Sequence, residues 1–329
     1  MIRAVGAGIG RHPVLAFFVV FAIFPWVVPY RSLAAQVLIY GLFALGFNLL
    51  YGYTGLLSFG SAAYWGLGAY GTGIALAKLN VTSLWLALAI GVGAAGVGGA
   101  VIGMFCLRRR GIYFAMLTLA FAQLLYFIGF HLSEWTGGDD GLRGITVPPL
   151  TLPGVSIALD SSTRMYYFFL AIVGLAVAAL DRILKSPFGT VLQAIRENSA
   201  RAAACGYDIA RVKWLSFVFY ALFIGLAGSL EALRLNVVPI ESLFWATSGQ
   251  VVIMTLLGGA GTFFGPFVGA TAWLVLEDQI ALYTESWALV IGAIFIAFVI
   301  FLPKGIWGTL LARAGSHPPR LSDERRLRS

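Results

Sequence analysis

Residues 53–73, "YTGLLSFGSAAYWGLGAYGTG", hold six glycines, two serines and two threonines in a chain that is otherwise almost continuously apolar. A lipid-facing anchor would carry leucine and valine instead. The composition predicts that the chain re-enters the membrane here and restarts as a helix near Ser58–Ser61, because Thr54, Ser58 and Ser61 are residue types that cap helix N-termini. Irregular backbone at membrane depth is tolerated only where it is buried in protein or borders a polar cavity.

A second interrupted segment lies in the other half of the chain, at residues 247–270, "TSGQVVIMTLLGGAGTFFGPFVGA". Two interrupted segments in corresponding halves indicate a substrate path between them, and free N–H groups at a helix start suit a carboxylate. The alternative is close helix packing by small residues, which is all that we expect of Gly91, Gly93, Gly96, Gly98, Gly99 and Gly103. The candidate pathway residues are Thr54, Ser58, Ser61, Tyr64, Gly258 and Gly259.

The composition predicts an all-α polytopic membrane protein with a single transmembrane domain over residues 1–329. Of the residues 60% are hydrophobic and 11% charged, and the mean hydropathy is +0.89, whereas soluble domains carry roughly 25% charged residues. Crossing a bilayer takes about 20 helical residues, and apolar runs of that order recur throughout. The predicted spans, about ten and partly re-entrant, are 13–30, 33–51, 60–78, 84–107, 112–133, 164–181, 214–234, 249–258, 264–283 and 287–303.

The positive charges predict the orientation of these spans. Placing the N-terminus in the cytoplasm puts 17 of the 22 Lys and Arg residues on the inner side, as cytoplasmic loops require, and the C-terminus then lies in the cytoplasm too. With this orientation, residues 134–163 are predicted to form a periplasmic loop with turns, and residues 304–329 a basic cytoplasmic tail. Residues 182–213, the longest polar segment on the inner side, read as a short helix from Ser186–Pro187, a break at Gly206 and a second short helix.

Several kinds of chemistry have no motif in the sequence. There is no Gly-Lys dipeptide for a P-loop, and the three histidines are far apart, so neither a nucleotide site nor a zinc or Ser-His-Asp site is predicted. Glu231, Glu277 and Asp278 lie at predicted outer ends, where we expect water exposure, with Glu231 pairing locally with Arg234. Because no internal energy source is evident, we expect coupling to a separate motor protein through residues 182–213.

The sequence resembles the LivM-type permease subunits of branched-chain amino-acid ABC importers. The resemblance covers most of the chain through ordered blocks, and the "GIYFAMLTLAF" block favours LivM over its LivH sister. The matching blocks are "NLLYGYTGLLSFGSAAYWGLGAY" (48–70), "LRRRGIYFAMLTLAFAQLL" (107–125), "TGGDDGL" (136–142), "AIRENSARAAACGYD" (194–208), "GLAGSLEA" (225–232), "MTLLGGAGTFFGPFVGA" (254–270) and "LPKGIWG" (302–308).

The resemblance implies a bacterial inner-membrane permease subunit with no catalytic site, metal or cofactor of its own. Its implied partners are a LivH-like sister permease, two LivG/LivF-like ATPases that hydrolyse ATP, and a periplasmic binding protein. Residues 182–213 become the coupling segment, with Arg196, Glu197, Ala203 and Gly206 at the ATPase. Ser61 and Tyr64 stand where relatives commonly have histidine and phenylalanine, so urea, short amides or aromatic carboxylates remain alternative substrates. An ion-coupled secondary transporter is the other alternative.

Overall fold

The computed structural model of the chain describes residues 13–28, 30–152, 155–157, 159, 161–284, 286–302 and 304–313. Both termini, which the charge pattern predicts to be cytoplasmic, lie outside these ranges, and so do residues 314–329 of the predicted basic tail. Orientation therefore stays a prediction from the charge pattern.

The described residues are mainly helical, as the composition predicts. The helices are α1 (Pro13–Val27), α2 (Arg31–Thr54), α3 (Ser61–Ala77), α4 (Leu84–Cys106), α5 (Ile112–His131), α6 (Ser133–Thr136), α7 (Ser162–Lys185), α8 (Pro187–Ala204), α9 (Ile209–Leu235), α10 (Trp245–Gly258), α11 (Gly265–Ala281), α12 (Trp287–Phe301) and α13 (Gly305–Arg313). Two 3-10 turns span Gly138–Asp140 and Ile240–Leu243, and two short strands, β1 (Leu150–Leu152) and β2 (Val155–Ile157), pair antiparallel.

Each predicted span coincides with one helix, with ends that differ by a few residues. Among the described residues, α2, α4, α5, α7 and α9 are long and apolar enough to cross a membrane. Helix α3 has 17 residues and α10 has 14. A 14-residue helix is about 21 Å long, which is less than the roughly 30 Å hydrocarbon core of a bilayer. The partly re-entrant character predicted for these two segments fits their lengths.

Helix α2 lies at the centre of the bundle and α5 at its edge. In α2, 18 of the 24 residues are buried, against 5 of the 20 residues in α5. Helix α9 packs against α2, α3 and α4, while α11 packs against α2 and α10. The first interrupted segment continues directly from α2, and the two helices of the second, α10 and α11, both pack against α2.

Glycines let α3, α4 and α9 approach each other at backbone distance. A Cβ added to Gly91 of α4 would lie 2.5 Å from the Gly68 carbonyl oxygen and 2.6 Å from Ser229 Oγ, and one added to Gly68 would overlap the Gly225 backbone. Lipid supplies no hydrophobic force between helices, so such contacts of small residues hold them together. The packing role predicted for the α4 glycines fits Gly91, whereas Gly93 faces open space and lies outside the helix contacts.

The predicted outer loop, residues 134–163, contains short elements as well as turns. It holds α6, a 3-10 turn and the β1–β2 pair. Leu142 exchanges two backbone hydrogen bonds of 2.9 Å with Val238. The loop is therefore anchored to the chain segment that follows α9.

One predicted surface residue is buried instead. Glu231, expected to face water, is only 6% exposed, which corrects the expectation. Its carboxylate is neutralised by the predicted partner, because Arg234 donates from Nε to Oε2 and from Nη2 to Oε1, both at 2.7 Å. A bidentate pair of this kind offsets part of the cost of burial. Glu277 and Asp278 are half-buried.

Replacement of Gly91 by leucine should disrupt the bundle. We expect Gly91→Leu to lower stability by about 1–3 kcal/mol or more through overpacking, seen as a lower thermal midpoint and aggregation in detergent by size-exclusion chromatography. Gly93→Leu, on the same helix but with no neighbour within 4 Å of the added Cβ, is the matched control and should behave like the unmodified protein. Equal behaviour of the two variants would contradict the glycine packing.

Candidate functional site

The interruption between α2 and α3 lies where the sequence predicts it. Helix α2 ends at Thr54, Gly55 adopts a left-handed conformation (φ 76°), and α3 begins at Ser61. The predicted caps are wrong for α3, because its N-cap residue is Gly60, which has no side chain to accept a capping hydrogen bond. The Thr54, Ser58 and Ser61 hydroxyl groups bond to α9, and Ser58 Oγ also accepts from the Gly60 N–H at 3.2 Å.

Three buried hydroxyl groups form a network, which we call the Tyr220 cluster (Ser58, Ser61 and Tyr220). Ser61 Oγ lies 2.8 Å from Tyr220 OH, and Tyr220 OH donates to Ser58 Oγ at 3.2 Å. All three side chains are fully buried. Tyr220 lies near the middle of the 27-residue helix α9, so the start of α3 is held at mid-depth rather than at a membrane surface.

The other predicted pathway residues of this half surround the cluster. Thr54 Oγ1 lies 3.0 Å from Ser216 Oγ, one turn before Tyr220 on α9. The ring of Tyr64 is fully buried and meets that of Tyr220 edge-on, with centroids 5.4 Å apart. Within the chain both side chains contact protein, and the Thr54 hydroxyl group is already bonded to α9.

The N-terminal ends of the two short helices meet beside this cluster. The backbone N–H of Ala62, in the first turn of α3, donates to Ser248 Oγ in the first turn of α10 at 2.8 Å. A helix N-terminus carries a partial positive charge. Two such ends at one depth form a region that favours a negatively charged group such as a carboxylate.

Gly258 and Gly259 lie elsewhere, at the opposite end of α10. The helix ends at Gly258, and Gly259 has a φ of 111°. A Cβ on Gly258 would come 2.9 Å from the Gly269 nitrogen, and one on Gly259 would come 2.8 Å from the Lys304 carbonyl oxygen. The structure thus brings these two glycines against α11 and the start of α13, and away from the Tyr220 cluster.

Asn48, which the sequence analysis missed, joins α2 just before the first interruption to the second interrupted segment. Its Oδ1 accepts from the Gly261 N–H at 2.8 Å, and its Nδ2 donates to the Thr262 carbonyl at 2.9 Å. We call this contact the Asn48 bridge. Asn48 is fully buried in α2. An amide in the middle of an apolar span is a signal that would have singled it out, since intramembrane polar groups require partners.

The coupling segment is exposed and is divided at Asn198. Helix α8 begins at Pro187 as predicted, but Asn198 has extended backbone (φ −159°, ψ 101°) and its Oδ1 accepts from the N–H groups of Ala200 and Arg201, both at 3.0 Å. The break at Gly206 is also present (φ 87°). The predicted second short helix is wrong, because the chain beyond Gly206 enters the long helix α9.

The predicted coupling residues face two directions. Arg196, Glu197, Ala203 and Gly206 are all exposed, yet the guanidinium of Arg196 turns inward and donates from Nη1 to the Gly52 carbonyl. Glu197 and Arg201, spaced for an i, i+4 contact, form no ion pair within the described residues, because the Asn198 kink separates them. The exposed surface is thus supplied by Glu197 and by the residues around Gly206.

The chain matches the family model described as branched-chain amino acid transport system, permease component, over residues 30–299. It is 28% identical to a high-affinity branched-chain amino acid transport system permease protein LivM of Salmonella typhimurium, covering 89% of this chain and 73% of the relative. For the Escherichia coli LivM the identity is 29%, covering 84% and 69%. A LivH protein of Salmonella typhimurium is 26% identical, covering 82% and 91%. No solved structure matches.

Removal of the Tyr220 hydroxyl should weaken the bundle where α3 starts. Tyr220→Phe leaves the Ser58 and Ser61 hydroxyls short of a buried partner, and we expect a loss of stability of about 1–3 kcal/mol. Thermal unfolding of the purified protein in detergent measures it. Tyr113→Phe, at a side chain that is 71% exposed, is the control and should leave the midpoint unchanged. An unchanged midpoint for Tyr220→Phe would mean that the cluster contributes nothing to holding α3.

Proposed function

The chain belongs to the family of permease components of branched-chain amino acid transport systems, and we propose that it forms half of the translocation pathway of an ATP-driven importer. The match over residues 30–299 carries this proposal. The substrates proposed are branched-chain or related amino acids. Urea, short amides and aromatic carboxylates are the alternatives, because the family resemblance implies that Ser61 and Tyr64 replace a histidine and a phenylalanine.

The proposed assembly places the energy source outside this chain. A LivH-like sister permease completes the path, two LivG/LivF-like ATPases hydrolyse ATP on the cytoplasmic side, and a periplasmic binding protein delivers substrate. The chain itself acts as a multi-pass inner-membrane subunit that performs no catalysis and binds no cofactor. The similarity to both LivM and LivH proteins supports the pairing with a sister permease.

The proposed pathway passes the meeting point of α3 and α10. Amino acids carry a carboxylate, and the paired N-terminal ends favour such a group at mid-depth. Thr54, Ser58, Ser61 and Tyr64 supply neutral polar groups there. Gly258 and Gly259 are proposed to border the path at the other end of α10. Because the hydroxyl groups of Thr54, Ser58 and Ser61 are bonded within the chain in this structure, substrate contact with them requires a shift of α3 or α10.

Transport should depend on ATP and on the ATPase subunits. In liposomes that contain this chain, the sister permease and the ATPases, with binding protein outside, we expect uptake of labelled leucine only when ATP is present on the ATPase side. Leucine uptake driven by an ion gradient in liposomes that hold this chain without ATPases would overturn the proposal in favour of a secondary transporter.

The exposed part of the coupling segment should hold the ATPases. Glu197→Lys reverses a charge and Gly206→Trp adds bulk on the exposed surface, so we expect either change to reduce ATPase co-purification about tenfold or more. The control is Asp140→Lys, the same type of charge reversal at a carboxylate that is 87% exposed in the predicted periplasmic loop. Membrane insertion should be equal for all three. Normal co-purification of both coupling variants would contradict the proposal that this exposed surface binds the ATPases.

A further inference from the structure

The Arg196 side chain runs from the coupling segment into the membrane helices. Its Nη1 donates to the carbonyl of Gly52, near the end of α2. The aliphatic part passes over Gly55, where an added Cβ would lie 3.3 Å from Arg196 Cγ. The same nitrogen approaches the second interrupted segment, since a Cβ on Gly261 would lie 3.0 Å from Nη1. One side chain of α8 thus touches both glycine breaks.

The Gly52 carbonyl belongs to the last turn of α2, where carbonyl groups have no partner within the helix. A cation placed there is favoured by the helix dipole as well as by the hydrogen bond. Arg196 therefore caps α2 from a different segment of the chain. The position of the α2 end is consequently linked to the position of α8.

The link continues from Gly52 to the α10–α11 connection. A Cβ on Gly52 would come 2.7 Å from the Gly261 nitrogen, and the Asn48 bridge holds Gly261 and Thr262 to α2. Arg196, Gly52, Asn48 and Gly261 thus form one continuous set of contacts. The set spans α8, α2 and the connection that precedes α11.

The remaining packing around α8 includes a small apolar cluster of Val191, Ile195 and Ala202. Apolar burial is non-directional. A charge-assisted hydrogen bond has a fixed geometry. The Arg196 contact is therefore the part of this interface best suited to fixing how a displacement of α8 moves the end of α2.

We propose that Arg196 is a positioning residue that transmits movement of the coupling segment to the two glycine breaks through the Gly52 carbonyl and the Asn48 bridge. This assignment rests on the proposed function and deepens it. Arg196 acts toward the membrane helices, while Glu197 and Gly206 face the ATPase. Loss of the guanidinium should therefore separate ATP hydrolysis from transport.

The test uses Arg196→Met, which keeps the aliphatic stem over Gly55 and removes the donor. The full complex is reconstituted in liposomes, and leucine uptake and ATP hydrolysis are measured on the same vesicles. We expect ATPase co-purification and hydrolysis within about twofold of the unmodified complex, and a fall of about tenfold or more in leucine taken up per ATP hydrolysed. Arg196→Lys, which retains a charged donor, should restore part of the ratio.

The matched control is Arg109→Met, at an exposed arginine outside the coupling segment. It should leave the uptake per ATP unchanged. An unchanged ratio in Arg196→Met would overturn the proposal. If Arg196 only stabilised the end of α2, Arg196→Met would lower the thermal midpoint and reduce uptake and hydrolysis in parallel, without changing their ratio. This result would also overturn the proposal.

The experiment distinguishes failure of the Arg196 proposal from failure of the proposed function. If the unmodified complex takes up leucine with ATP and only the Arg196 proposal fails, the importer assignment stands. Loss of ATPase co-purification in Arg196→Met would show that the arginine binds the ATPase directly, which contradicts the transmission role. Absence of ATP-driven uptake by the unmodified complex, with leucine and with the alternative substrates, would remove the proposed function itself.

Discussion

The structure depends on one constraint: backbone groups freed by a broken membrane helix must find partners inside the protein. In hydrocarbon each unsatisfied N–H or C=O costs several kcal/mol. The two interruptions meet this requirement with side chains from other helices. Ser248 accepts a hydrogen bond from the start of α3, Asn48 bonds to the backbone of Gly261 and Thr262, and Arg196 donates to a carbonyl near the end of α2. The breaks are therefore fixed in space by the same contacts that satisfy them.

The helices and the place of the first interruption could be predicted from local sequence. Apolar runs of membrane length and the glycines of residues 53–73 are signals within one segment, and the helix ends follow them closely. The charge pattern similarly indicated the long polar segment that contains α8. The Asn198 kink was missed, because Asn198 can cap a helix or sit within one and only the fold decides which.

The partners of the candidate site could not be predicted, because they are distant in sequence. Tyr220 is 159 residues from Ser61, and Ser248 is 186 residues from Ala62. Periodicity assigns a residue to a helix face but does not say which helix covers that face. The error at Glu231 has the same origin, since its depth depends on the neighbouring helices. Its pairing with Arg234 was predictable because i, i+3 spacing is local.

The chemistry of these contacts indicates which part of the bundle can rearrange. A neutral hydrogen bond contributes only about 0.5–1.5 kcal/mol net, so the hydroxyl groups of the Tyr220 cluster can exchange partners at small cost. In the middle of α3, this helix and α9 meet through backbone at Gly68 and Gly225, where close packing leaves few intermediate positions. A shift at the start of α3 is therefore cheaper than separation of its C-terminal half from α9. A carboxylate bound between α3 and α10 would replace neutral hydroxyl contacts by charge-assisted hydrogen bonds, which are about twice as strong. Binding would therefore favour a shift of the start of α3.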